Sequence, residues 1–132
     1  MIKIRHSKTP HPETELEGNR ESLEQLYNYI LNMKSDKIII DINTDFDPTP
    51  YEHTISKLHI HKNENLLKIS ELNNELWITG KEEYLKFFAE NLPTDVDDDG
   101  PFPYHIHFDH IWYEQQMEKD SLDIVLTIKK QD

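Results

Sequence analysis

Cysteine is absent from the 132 residues, which removes disulfides, thiolate nucleophiles and cysteine-ligated zinc from consideration. Glycine occurs only three times, too sparsely for a glycine-rich phosphate loop, and no Gly-x-Ser-x-Gly elbow is present. Apolar runs stay as short as Ile38-Ile39-Ile40, far below the ~20 residues that cross a bilayer. The opening Met1-Ile2-Lys3-Ile4-Arg5-His6 has no apolar stretch of the kind a secretory leader needs. The expectation is a soluble cytoplasmic protein that uses no membrane. Basic residues are also scarce: 14 Lys and Arg face 26 Asp and Glu, for a net charge of −12. Such a surface repels phosphate backbones and anionic headgroups, so direct nucleic-acid binding is not expected, whereas a basic protein partner is attracted. Solubility alone also accounts for an acidic surface.

What the chain does have is two Trp, six Tyr and five Phe, more aromatic character than a disordered chain carries. At this length one domain, residues 1–132, is expected. Ile2 and Ile4 alternate with Lys3 and Arg5 as a short strand that Thr9-Pro10-His11-Pro12 breaks. Asn19 is a good helix N-cap, and Leu23, Leu26, Tyr27, Ile30 and Leu31 follow at the spacing of one buried helical face. Extended segments are predicted at Lys37–Ile42 and Ile55–His61. Leu66–Leu72 and Glu75–Thr79 are predicted to form a hairpin around Asn73-Asn74. Thr79-Gly80-Lys81-Glu82 has the pattern of a capping box, opening a second helix with Leu85, Phe88, Ala89 and Leu92 on its apolar side. Strands at Tyr104–Phe108 and Leu122–Ile128 close the chain.

The order strand, Gly, helix, His-Ile-His strand, last strand occurs twice. Gly18 aligns with Gly80, and Leu58-His59-Ile60-His61 aligns with Tyr104-His105-Ile106-His107. Two copies are too few for a solenoid. The expected fold is therefore α+β: two βαββ-like repeats, about 1–72 and 73–132, forming one mainly antiparallel sheet with both helices on one face. A last strand left at an edge would allow pairing in a homodimer; a monomer is the other expectation.

Three features are candidates for chemistry or binding. His59 and His61 share a strand face, as do His105 and His107, and same-face neighbours ~6.6 Å apart can ligate one metal. The competing reading is a set of half-exposed sheet histidines, with no third ligand at clear spacing. The acidic run Asp95-Val96-Asp97-Asp98-Asp99-Gly100 imitates the start of a calcium loop, but position 12, where a bidentate Glu is required, is Ile106. It reads better as an anionic knob for a basic partner, or as a solvated loop. Trp112 and Tyr113 are candidate binding anchors, with core packing as the alternative. No catalytic site and no cofactor is expected.

Trp77-Ile78-Thr79-Gly80-Lys81-Glu82-Glu83-Tyr84-Leu85, Tyr104-His105-Ile106-His107-Phe108-Asp109 and Ser121-Leu122-Asp123-Ile124-Val125 together resemble the immunity protein 32 type of bacterial polymorphic-toxin systems. The shared pattern is a strand ending in Gly, an amphipathic helix with Leu, a His-containing strand and a Ser-containing entry to a final strand. The N-terminal half joins this resemblance only through the weaker repeat. The resemblance implies a non-catalytic protein that binds and neutralises a cognate toxin, and it carries no functional residues with it. The Asp45–His53 loop and the Asp95–Gly100 insert depart from the compact pattern. Combined with the charge, the expected partner is a toxin such as a basic nuclease. A metal-dependent enzyme using the His strands and a small adaptor domain are the alternatives.

Overall fold

A computed structural model describes residues 1–130. In chain order the elements are β1 (Lys3–Ser7), β2 (Glu13–Asn19), α1 (Arg20–Leu31), β3 (Lys37–Asp41), β4 (His53–Thr54), β5 (Lys57–Lys62), β6 (Lys68–Leu72), β7 (Glu75–Gly80), α2 (Glu82–Glu90), β8 (Tyr104–Phe108) and β9 (Ile124–Lys129).

Local chemistry accounts for most boundaries. Asn19 Oδ1 accepts the Ser22 N–H at 2.9 Å, and Ser22 Oγ accepts the Asn19 N–H at 3.1 Å, a reciprocal cap that starts α1. Leu23, Leu26 and Ile30 then form its buried stripe. Asn73 and Asn74 both take positive φ, 54° and 61°, the backbone of a tight type I′ turn joining β6 to β7. The capping box expected at Thr79 does not form. Thr79 and Gly80 remain in β7, Lys81 occupies the cap position without a side-chain bond, and Glu82 is already helical.

The strands make two sheets, not one. Their orders are β4-β1-β2-β9-β8 and β3-β5-β7-β6. Antiparallel pairing dominates each, but β2 runs parallel to β9 and β5 runs parallel to β7. The reason lies in the crossovers. A helix is long enough to carry the chain across to another partner: β5, after α1, pairs with β7 of the hairpin before α2 and brings β3 with it, and β9, after α2, pairs with β2 of the hairpin before α1 and brings β8, while the two-residue β4 returns to β1. The helices therefore do not share one sheet face: α1 packs on β2 and β9, α2 packs on β7, and the two helices touch each other.

The two sheets share one connection pattern, yet neither is built from one expected half, since each draws strands from both sides of residue 72. Hairpin β1-β2 is followed across the sheet by β9 and then β8, and hairpin β6-β7 by β5 and then β3. Gly18 and Gly80 occupy like places, near the ends of β2 and β7. The His-x-His strands do not: β5 lies inside its sheet, whereas β8 is an edge.

Both sheets and both helices contribute to a single hydrophobic core that includes Ile4, Leu16, Leu23, Leu58, Ile60, Leu76, Ile78, Phe88, Phe108 and Leu126. The outer edge of β6 is covered by the segment before β9, through Leu67 N–H to the Gln116 carbonyl and Leu122 N–H to the Ile69 carbonyl, both 2.8 Å. No helix among the described residues is long and apolar enough to cross a membrane.

Candidate partner-binding surface

The acidic run is an exposed loop between α2 and β8. Asp95, Asp97, Asp98 and Asp99 all face solvent. One cation reaches in: Arg20, the first residue of α1, places Nη2 3.4 Å from Asp98 Oδ1 and donates from Nη1 to the Thr94 carbonyl. The Gly100 N–H closes the loop on the Asp97 carbonyl at 2.9 Å, with Gly100 at φ +99°. The loop is thus pinned at its base while its carboxylates remain available.

Trp112 lies in the turn beyond the other end of β8. It is 78% exposed and its neighbour Ile111 is 74% exposed. Asp109 Oδ1 accepts the Trp112 N–H at 3.0 Å and fixes the turn that presents the indole. Tyr113 turns the other way. Its ring packs 4.9 Å from Phe108 and 5.0 Å from Phe87, and its hydroxyl lies 3.4 Å from Asn91 Oδ1. The two aromatic neighbours therefore have different surroundings, and Trp112 is the one whose ring stands in solvent. Five residues of β8 separate Trp112's turn from the acidic loop, about 13–17 Å of strand.

The four strand histidines do not gather. His59 and His61 share a face of the second sheet, with ring centroids 5.9 Å apart, and His105 and His107 share a face of the first, 5.3 Å apart. The same-face expectation holds within each pair, but the convergence of four imidazoles fails because β5 and β8 belong to different sheets. His59 is already engaged, with Nε2 2.6 Å from Glu75 Oε1 and its ring flat against Trp77. His61 Nε2 is buried without a partner among the described residues, and burial, helped by nearby His59 and Lys37, lowers its pKa below 6.5. Among the described residues no group of three or more His, Asp or Glu side chains is arranged to hold a metal ion.

His110 and Asp123 form a pair that the sequence pattern does not predict. Asp123 Oδ1 sits 2.9 Å from His110 Nδ1 and accepts the His110 N–H at 3.1 Å, and this contact raises the pKa of the imidazole. The pair ties the turn carrying Ile111 and Trp112 to the start of β9. The signal was present as a His two residues before Trp112, but no spacing rule links it to Asp123.

No curated protein and no solved structure matches the chain. Residues 75–130 match the family model of Immunity protein 32, the family that the sequence resembles, and the match runs from β7 through β9.

Proposed function

We propose that this protein is a non-catalytic immunity protein that binds a cognate protein toxin and covers its working surface. The carrying observation is the Immunity protein 32 match over residues 75–130. The proposed contact surface is Asp95, Asp97, Asp98 and Asp99 together with Trp112, with Tyr113 holding the Trp112 turn against the Phe87–Phe108 cluster. Exposed carboxylates in a chain of net charge −12 favour a basic toxin, such as a nuclease, and accelerate encounter with it by long-range attraction. An exposed indole supplies the desolvated anchor that charge alone lacks. Action in the cytoplasm, beside the newly made toxin, fits this role.

The test is to identify the adjacent genes and, where one encodes a large secreted protein with a variable C-terminal domain, to co-express that domain with this chain. Rescue of growth and a stable 1:1 complex are expected. Survival without a complex, or a complex without survival, would overturn the reading.

A further inference from the structure

We propose that β3 is a self-recognition edge through which two copies of this chain join the second sheets of both into one continuous sheet. β3 is the outer strand of that sheet and, among the described residues, is paired on one side only, with β5. The phase of its free side is fixed by two bonds, Lys62 N–H to the Asp36 carbonyl at 2.7 Å and Ile42 N–H to the Ser56 carbonyl at 2.9 Å. Antiparallel pairing alternates, so the even-numbered residues bond to β5 while the N–H and C=O groups of Lys37, Ile39 and Asp41 point outward. Among the described residues, the bond that reaches these outward groups comes from the Ser35 hydroxyl to the Lys37 carbonyl, 2.8 Å.

The sequence of β3, Lys-Ile-Ile-Ile-Asp, is complementary to its own reverse. A twofold axis normal to the sheet, midway between the two strands at Ile39, sets Ile39 against Ile39 of the second copy, Ile38 against its Ile40, and Lys37 against its Asp41. The three outward-bonding residues then all fall in hydrogen-bonded pairs, and both charged pairs have opposite signs. Charge at a sheet edge usually prevents such pairing; here the edge charges attract a second copy. Ile39 is 57% exposed at the centre. Asp41 already meets Lys57 at 2.9 Å, yet its side chain is 87% exposed and can accept a second cation.

The other edges do not offer this. β6 is covered, β4 has two residues, and β8 laid antiparallel on itself about Ile106 sets His105 against His107. β9, the strand whose edge position the sequence left open, is held between β2 and β8.

The test uses the full chain in sedimentation velocity at physiological salt, where a Debye length of about 8 Å limits repulsion between two acidic copies. Wild type is expected to dimerise with rising concentration. Lys37→Asp and Asp41→Lys should each weaken the dimer at least about tenfold, about 1.4 kcal/mol. Mixing the two variants should restore association, because each supplies the charges the other now lacks, and a misfolded variant would not do so. Wild type monomeric up to millimolar concentration, single variants that dimerise as wild type does, or a mixture that stays monomeric would each overturn the proposal. The measurement needs no toxin and is independent of the immunity reading. If the toxin occupied this edge instead, each reversal would weaken the toxin complex and mixing would restore nothing.

Discussion

The imidazole of His59 lies flat on the indole of Trp77, centroids 4.1 Å apart and planes 4° apart. The two residues are cross-strand partners on the parallel pair β5–β7, on the sheet face opposite Ile60 and Ile78. Glu75 Oε1 meets the edge of the imidazole, 2.6 Å from Nε2. A His that looked like a metal ligand is therefore a stacked, hydrogen-bonded part of the sheet.

Trp77→Ala should lower stability by about 1–3 kcal/mol, through lost burial and lost stacking. Urea denaturation should show a lower midpoint with an unchanged slope. A double-mutant cycle with His59→Ala should return a coupling of about 0.5–1.5 kcal/mol; strictly additive effects would show that the stack contributes nothing.

Acid should destabilise the fold partly through His6. This ring is 2% exposed, its Nδ1 2.8 Å from Thr14 Oγ1 and its Nε2 3.6 Å from Glu71 Oε1. Burial lowers its pKa below 6.5 and outweighs the opposing pull of Glu71. The unfolded chain thus binds this proton more readily than the fold does. The contribution is complete above the unfolded value, near pH 6.5, and is lost as pH falls toward the depressed folded value. His61 acts in the same direction. His110, raised by Asp123, acts in the opposite one, stabilising below about pH 6.5 and fading as pH rises. His6→Gln should flatten the fall in melting temperature between about pH 7 and pH 5; a profile parallel to wild type would refute the assignment.

Gly80 should not tolerate a side chain. Its φ is +156°, and a Cβ there would stand 3.1 Å from the Leu67 Cα and 3.3 Å from the Leu66 carbonyl oxygen. Both neighbours are backbone and cannot turn aside. Gly80→Ala should cost about 1–3 kcal/mol, seen as a lower thermal midpoint; an unchanged midpoint would show that β7 and α2 can meet at another angle.

Trp112 and Tyr113 should separate binding from stability. Trp112→Ala should leave stability within about 0.5 kcal/mol of wild type while weakening the toxin complex by about 2 kcal/mol or more. Tyr113→Ala should destabilise the fold, since it removes a ring from the Phe87–Phe108 cluster. Calorimetry of binding beside thermal melts reads both; a Trp112→Ala variant with full affinity would move the contact surface elsewhere.

Local structure was readable wherever a short-range rule governed it. Asn19 capped α1, Asn73-Asn74 turned the hairpin, and Leu23, Leu26 and Ile30 marked the buried stripe. The sheet count was not readable, because a strand shows the period of its faces and not the identity of its neighbours. Leu58-His59-Ile60-His61 and Tyr104-His105-Ile106-His107 have like patterns, yet one is interior and the other an edge. The capping box at Thr79 misled because a Thr-x-x-Glu pattern does not say where the preceding strand stops. In the candidate surface, the exposure of the acidic run followed from its charge, whereas the opposite fates of Trp112 and Tyr113 depended on Phe87 and Phe108, distant in sequence or hidden in a strand.

The crossed pairing of the sheets imposes an order of assembly. Every strand of the second sheet lies before residue 81, so that sheet can close while the rest of the chain is still being made. The opening hairpin is different: β2 needs β9, with Leu16 opposite Leu126, and must wait for contacts that span most of the polypeptide. Such long-range closure is slow. Until it happens the side of β2 that will meet β9 stands bare, so losing β9 would strand the beginning of the chain as surely as the end.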